Sequence, residues 1–162
     1  MRKLQSLKAH MIEALAHRGA KDNPADLHVH IPQGALQATM RPGLGFSYSY
    51  TLVLAVLDFA HSVDEIMIPL LLWVRRWQPE LLAQGASGVP FEVEDLDDGK
   101  VDVMIRIPLT ETVGFTERPG GGYDLARPEE PTPFALEDAE PLHIVYLDDE
   151  VIARCSLHQV EP

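Results

Sequence analysis

The chain has 162 residues, 46% apolar and 23% charged, which suits one domain with a single core and excludes disorder throughout. A formal charge of −12 argues against nucleic acid as a ligand, since phosphate binding needs clustered Lys and Arg. A single cysteine, Cys155, leaves no disulfide framework and no thiolate metal cluster within a chain.

Leu4, Leu7, Met11, Ala14 and Leu15 recur at helical spacing before Gly19, predicting an amphipathic helix over 3–18. This N-terminus has neither the apolar core nor the cleavage site of a signal peptide. KDNPAD is a turn. LHVHI (27–31) and GALQATM (34–40) read as two strands paired across Pro32-Gln33-Gly34. FSYSYTLVLAVLDF (46–59) alternates at first and is then continuously apolar, so one end of this strand should be half-exposed and the other buried on both faces.

Ser62 and Glu65 have the spacing of a capping box and predict a helix that runs to Trp77 and stops at Gln78-Pro79. Its apolar run, Ile66–Val74, has nine residues against the roughly 20 of a membrane-spanning helix, so no membrane partner is expected. Ile66, Leu70, Trp73 and Trp77 form the face that should lie on the sheet, and Pro69 should bend the helix slightly. Met67, Leu71 and Val74 form a second stripe that a one-sided helix does not need. The N-terminal helix or another subunit must cover it, and Arg75 and Arg76 mark where the helix emerges to meet water or an acidic partner. These five residues are the candidate interface.

FEVEDL (91–96) and KVDVMIRIPLTETV (100–113) flank Asp98-Gly99, a strong hairpin signal, and Val101, Val103, Ile105, Ile107 and Leu109 share one face. VGFTE and YDLAR flank PGGG as a second hairpin. Residues 127–141, rich in Pro and Glu, read as an extended linker between a core domain (1–126) and a C-terminal hairpin and tail (142–162). The order of elements predicts an α+β fold, a mostly antiparallel sheet with two helices on one face.

Charge is uneven along this order. Arg2, Lys3, Lys8, Arg18 and Lys21 face a single acid, Glu13, in residues 1–21, whereas EVEDLDD (92–98) holds five acids and no base. The simplest reading is a solvated surface; the alternative is pairing between copies of the chain.

No constellation assembles a nucleophile, a base and an oxyanion site, so no catalytic residue, cofactor or enzyme is expected. His28 and His30 share a side of their strand and would take a zinc ion only with a third ligand, and His10 and His17 share a helix face with no supporting motif. DLDDGKVDV fails as a calcium loop, because Leu96 and Ile105 fall where ligands belong. PGGGY lacks the Lys-Ser/Thr and following helix of a phosphate loop. Cys155 has no catalytic signature, and Asp58, at a strand end, reads as a turn partner. A small-ligand site at Trp73 and Trp77 lacks convergent polar groups.

Leu44–Leu82 resembles the tail completion protein R family of Peduovirus-type contractile-tailed phages. The resemblance is carried by Phe46, Tyr50-Thr51-Leu52, Asp58-Phe59, Pro69, Trp73 and Gln78-Pro79, and continues in VDVMIRIPLTETV, with its Leu-Thr-Glu phrase, and in the terminal PLHIVYLDDEVIARC. LHVHI is its least family-like part. The resemblance implies a phage or prophage structural protein that acts at the head-proximal end of the tail and makes it competent for head joining. By fold-level analogy with tail terminators it further implies a homo-oligomeric, hexameric ring. The implied partners are further copies of the chain, tail tube and sheath proteins and head–tail connector proteins, in the virion tail and, during assembly, in the host cytoplasm. Another head–tail connector, a baseplate component, or a metal-binding module using His28 and His30 are the competing readings.

Overall fold

Two long strands, paired antiparallel from Phe46 opposite Val113 to Phe59 opposite Val101, are the spine of the molecule. The computed structural model describes residues 1–16, 27–39, 45–96, 99–128, 144–147 and 150–154. Within them the elements are α1 (Arg2–Leu15), β1 (Leu27–Thr39), β2 (Gly45–Phe59), α2 (Asp64–Trp77), a 3-10 turn (Pro79–Leu82), β3 (Phe91–Asp95), β4 (Val101–Glu117), β5 (Tyr123–Ala126), β6 (Ile144–Leu147) and β7 (Glu150–Arg154). The sheet runs β1-β2-β4-β3, and β5 joins the far end of the β4 edge that β3 occupies near its start. All of these pairings are antiparallel. This is the expected α+β architecture. Among the described residues no helix is long and apolar enough to cross a membrane.

The pleat decides what is buried. Val103, Ile105, Ile107 and Leu109 on β4 and Leu52, Leu54 and Val56 on β2 form one core face, over which Leu7 and Met11 of α1 and Ile66, Leu70 and Trp73 of α2 close. Val53 and Ala55 point to the opposite face and are buried too, so the continuous burial of Leu52–Val56 follows the apolar run in the sequence. The strand ends in a bulge, where Asp58 takes a positive φ of 52°. Its N–H donates to Asp102 Oδ1 at 2.9 Å, and Lys100 Nζ stands 3.6 Å from its carboxylate. Asp58 is thus a turn partner, as its position suggested.

Two local expectations change. Residues 27–39 are one strand and not two. Pro32-Gln33-Gly34 reads as a turn, but β1 is an edge strand, where a missing N–H is tolerated, and a register shift between His30 and Gln33 absorbs the irregularity. The capping box does not close. The helix begins at Asp64, the Ser62 hydroxyl accepts from Asp64 N at 3.3 Å, and no side chain caps the Val63 N-cap. Glu65 is buried instead, because it lies next to the inward face that begins at Ile66. The N-terminal helix is described to Leu15, and Gly19, expected to end it, lies outside the described residues. Pro69 sits inside α2 without ending it.

The first two hairpins form where glycines require them. Gly99, at φ 78°, closes the β3–β4 loop by donating to Leu96 O at 3.2 Å. Gly120, Gly121 and Gly122 all have positive φ in the β4–β5 turn, where Arg118 N donates to Gly122 O at 3.0 Å. Asp124 pairs with the Arg118 guanidinium there, and this hydrogen bond raises the pKa of that arginine above its already high ordinary value. β6 and β7 pair as the third hairpin, and β7 lies against α2 and α1, so this hairpin packs on helices of its own chain. Residues 129–143, which hold most of the 127–141 Pro/Glu-rich segment, and Cys155 lie outside the described residues.

Candidate functional site

The two stripes of α2 have different fates. Ile66, Leu70 and Trp73 are buried as expected, and Trp77 is half-buried, stacked on Trp73 with ring centroids 6.0 Å apart. The second stripe divides. Val74 is 1% exposed and belongs to the core of its own subunit, so it offers nothing to a neighbour. Met67 is half-buried against that core, while Leu71 is 52% exposed. The cover over this side is α1: Ser6 Oγ accepts from Trp73 Nε1 at 3.1 Å, and His10 Nε2 donates to Pro69 O at 2.9 Å. The outer surface left to α2 is therefore Leu71 with the exposed Arg75 and Arg76.

At the other end of α1 lies a buried polar joint that the patterns above do not reveal. The inward row of β4 continues past Leu109 to Glu111, a buried carboxylate. α1 has no local cap: Met1 occupies the N-cap position without a side-chain bond, and no acid lies in the first turn. Glu111 supplies both. Its Oε2 accepts from Arg2 N at 2.8 Å, its Oε1 accepts from Lys3 N at 3.3 Å, and the Tyr50 hydroxyl also donates to Oε1. An anion at a helix N-terminus satisfies otherwise orphaned N–H groups and the positive end of the helix dipole.

Lys3 mirrors this at the C-terminus of α2. The residue is 1% exposed, and its Nζ donates to Trp77 O at 2.7 Å and to Gln78 Oε1 at 2.8 Å. A cation thus closes the negative end of α2. Gln78 carries the contact on to β4. Its Oε1 also accepts from Thr110 N at 3.2 Å, and its Nε2 donates to Thr110 Oγ1 at 3.2 Å and to Glu80 Oε1. Both lone pairs and both amide hydrogens of Gln78 are used. The Arg2 guanidinium lies over the Trp77 ring, 5.2 Å from its centroid. Lys3 is therefore not part of a solvated basic surface.

His28 and His30 do share one side of β1, exposed on the face opposite the helices, in register with Ala55 and Val53. Among the described residues no group of three or more His, Cys, Asp or Glu side chains is arranged to hold a metal. His10 is occupied with Pro69 O, and His17 lies outside the described residues.

The buried joint gathers residues from three of the phrases that carry the family resemblance: Tyr50 from the β2 phrase, Gln78 after Trp73, and Thr110-Glu111 from the Leu-Thr-Glu phrase. A family model described as P2 phage tail completion protein R (GpR) matches residues 1–131. Among curated proteins, "Tail completion protein R" of Escherichia phage P2 is 27% identical over 139 residues, covering 83% of this chain and 86% of that one. No solved structure matches the chain, so the likeness to tail terminator folds has no structural neighbour behind it.

Proposed function

Because the chain belongs to the P2 phage tail completion protein R family, we propose that it completes the phage tail at its head-proximal end, as a ring of copies, and makes the tail competent to join the filled head. The family match over residues 1–131 carries this reading, and the joint at Glu111, Lys3 and Gln78 supports it. Tyr50, Gln78, Thr110 and Glu111, from three of the phrases by which the chain resembles its relatives, fix two helices to a sheet, as a rigid assembly part requires. The protein is then a component of the virion tail, built in the host cytoplasm.

A ring contact is heterologous, joining unlike patches of neighbouring copies. The molecule has unlike patches to offer. Exposed Arg75 and Arg76 follow Leu71 one turn further along α2, whereas β3 exposes Glu92, Glu94 and Asp95. We assign the α2 patch to an acidic surface of an adjoining tail component. The charge of −12 keeps free subunits soluble and repels DNA from a lumen.

Reconstitution tests this function. Tails assembled without the protein should fail to join filled heads, and the purified protein should restore infectious particles. Efficient joining by tails that never met it would refute the reading. Locating the protein at the baseplate would transfer it to the competing baseplate class.

A further inference from the structure

The sheet is longer than the helices that cover it. Beyond Tyr50, the core face continues as an apolar stripe across four strands. Leu36 pairs with Tyr48 in register, and Phe46 stacks edge-on with Tyr48 at 5.1 Å and lies 6.2 Å from Phe115. Phe115 pairs with Leu125, and Glu117 with Tyr123. Leu36 is 66% exposed, and Tyr123 and Leu125 are more than half exposed. The stripe thus begins on one edge strand, β1, and ends on another, β5. An open groove of about 390 Å³ adjoins its β1 end, lined among others by Met1, Ile31, Gly34 and Tyr48.

Other edges of the sheet are defended against pairing. β3 carries Glu92, Glu94 and Asp95. β4 between β3 and β5 is occupied from Arg106 to Thr110: Arg106 N donates to Pro90 O at 2.9 Å, Thr110 N is taken by Gln78, and Pro108 between them has no N–H. The first half of β1 is interrupted by Pro32 and its bulge. The second half, Gly34–Thr39, has no charge, no proline and, among the described residues, no strand on its outer side. β5 likewise has a partner on one side only among the described residues.

We propose that β5 of one copy pairs with the Gly34–Thr39 segment of β1 of the next, so that the apolar stripe runs unbroken from copy to copy. The occupant of this surface is a second copy of the chain, and the inference rests on the ring reading above, for which it supplies the contact. Strand direction favours it. Three successive antiparallel pairings make β5 antiparallel to β1, so two sheets placed side by side in the same orientation meet as an ordinary antiparallel pair, with their apolar faces on the same side. Closure favours a ring over a dimer. Leu36 on β1 with Tyr48 beside it on β2, and Tyr123 and Leu125 on β5, all partly exposed, supply on the order of 400 Å². A stable pairwise interface buries about 1,600 Å². One junction does not hold a dimer, whereas in a closed ring every copy makes two.

Cross-linking tests the contact. In a Cys155→Ser background, Gln37→Cys on β1 and Asp124→Cys on β5 are combined and treated with a short dithiol-reactive linker, beside native mass measurement of the unmodified chain. The expected result is a ladder of covalent species ending at the mass of the wild-type assembly, with no ladder from either single variant. Leu36→Asp, at an exposed position, should keep its circular dichroism spectrum and lose the assembly. If the wild type assembles but the double variant stays monomeric, or Leu36→Asp assembles normally, the edge contact is wrong and the ring stands. Dimers from Gln37→Cys alone would replace it with a two-fold β1–β1 contact. A wild type that is monomeric at every concentration overturns both the ring and this contact.

Discussion

Glu111→Gln is the most informative change to the buried joint, because it alters charge and hydrogen-bonding type but almost no volume. The carboxylate accepts three bonds, from Arg2 N, Lys3 N and the Tyr50 hydroxyl. A glutamine places an NH2 where one of the two oxygens stood, so a donor must face a donor whichever way the amide turns. The loss of a charged hydrogen bond is about 1.5–3 kcal/mol, and a buried donor left unsatisfied costs about 1–3 kcal/mol. These overlap, so roughly 2–4 kcal/mol is expected, a large share of the about 5–15 kcal/mol that holds a domain folded. Urea unfolding should show it as a lower midpoint at unchanged slope. With about 2–4 °C per kcal/mol for a chain of this size, the melting temperature should fall by roughly 5–15 °C. Tyr50→Phe should cost less alone. The bond from the Tyr50 hydroxyl to the carboxylate is removed by either change and can be lost only once, so the two effects should sum to clearly less than additive in the double variant. A loss under about 1 kcal/mol for Glu111→Gln would refute the capping role assigned to this carboxylate.

Three further outcomes follow from the same geometry. Lys3→Met, which keeps the stem but removes the ammonium from Trp77 O and Gln78 Oε1, should cost about 1–3 kcal/mol in urea unfolding. Gly34→Ala would set a Cβ 3.0 Å from Tyr50 Cβ, and the resulting overpacking should cost about 1–3 kcal/mol by the same measurement. Val74→Asp should leave little folded protein, whereas Leu71→Asp should change stability by no more than about 0.5 kcal/mol and weaken binding to tails in a pull-down.

The long strands, the helix before Gln78-Pro79 and the hairpins were legible because each rests on a local signal: alternation, an apolar run bounded by proline, or a glycine that must turn. Other features needed partners distant in sequence. Whether Pro32-Gln33-Gly34 turns or bulges depends on what lies on the free side of β1. Whether Val74 meets a neighbour depends on where α1 settles. The buried joint left a trace that local reading passes over. Glu111 continues the inward row Val101, Val103, Ile105, Ile107, Leu109 at the strand period, and Lys3 precedes Leu7 and Met11 at helical spacing. A charge in register with an apolar row signals a buried partner, but the sequence does not say which element brings it.

Three of the phrases that make the family recognisable, those of Tyr50, Gln78 and Thr110-Glu111, meet in one mechanical joint, and such phrases identify the family without locating its contacts. Trp73 and Gln78 end α2, Thr110 and Glu111 lie on β4, and Lys3 with its backbone N–H bridges the two. Changing any one leaves a buried donor or acceptor without its partner, so the chemistry at each position is narrowly prescribed. Leu71, Leu36, Tyr123 and Leu125 lie outside these phrases, and their side chains are half or more exposed to solvent in the single subunit. Nothing within the subunit prescribes them; only a partner would. A relative 27% identical can therefore share the frame while meeting different surfaces. The contacts of this chain are then properties of its own exposed edge and helix, and the decisive measurements are those on Leu36, Gln37, Leu71 and Asp124 of this sequence.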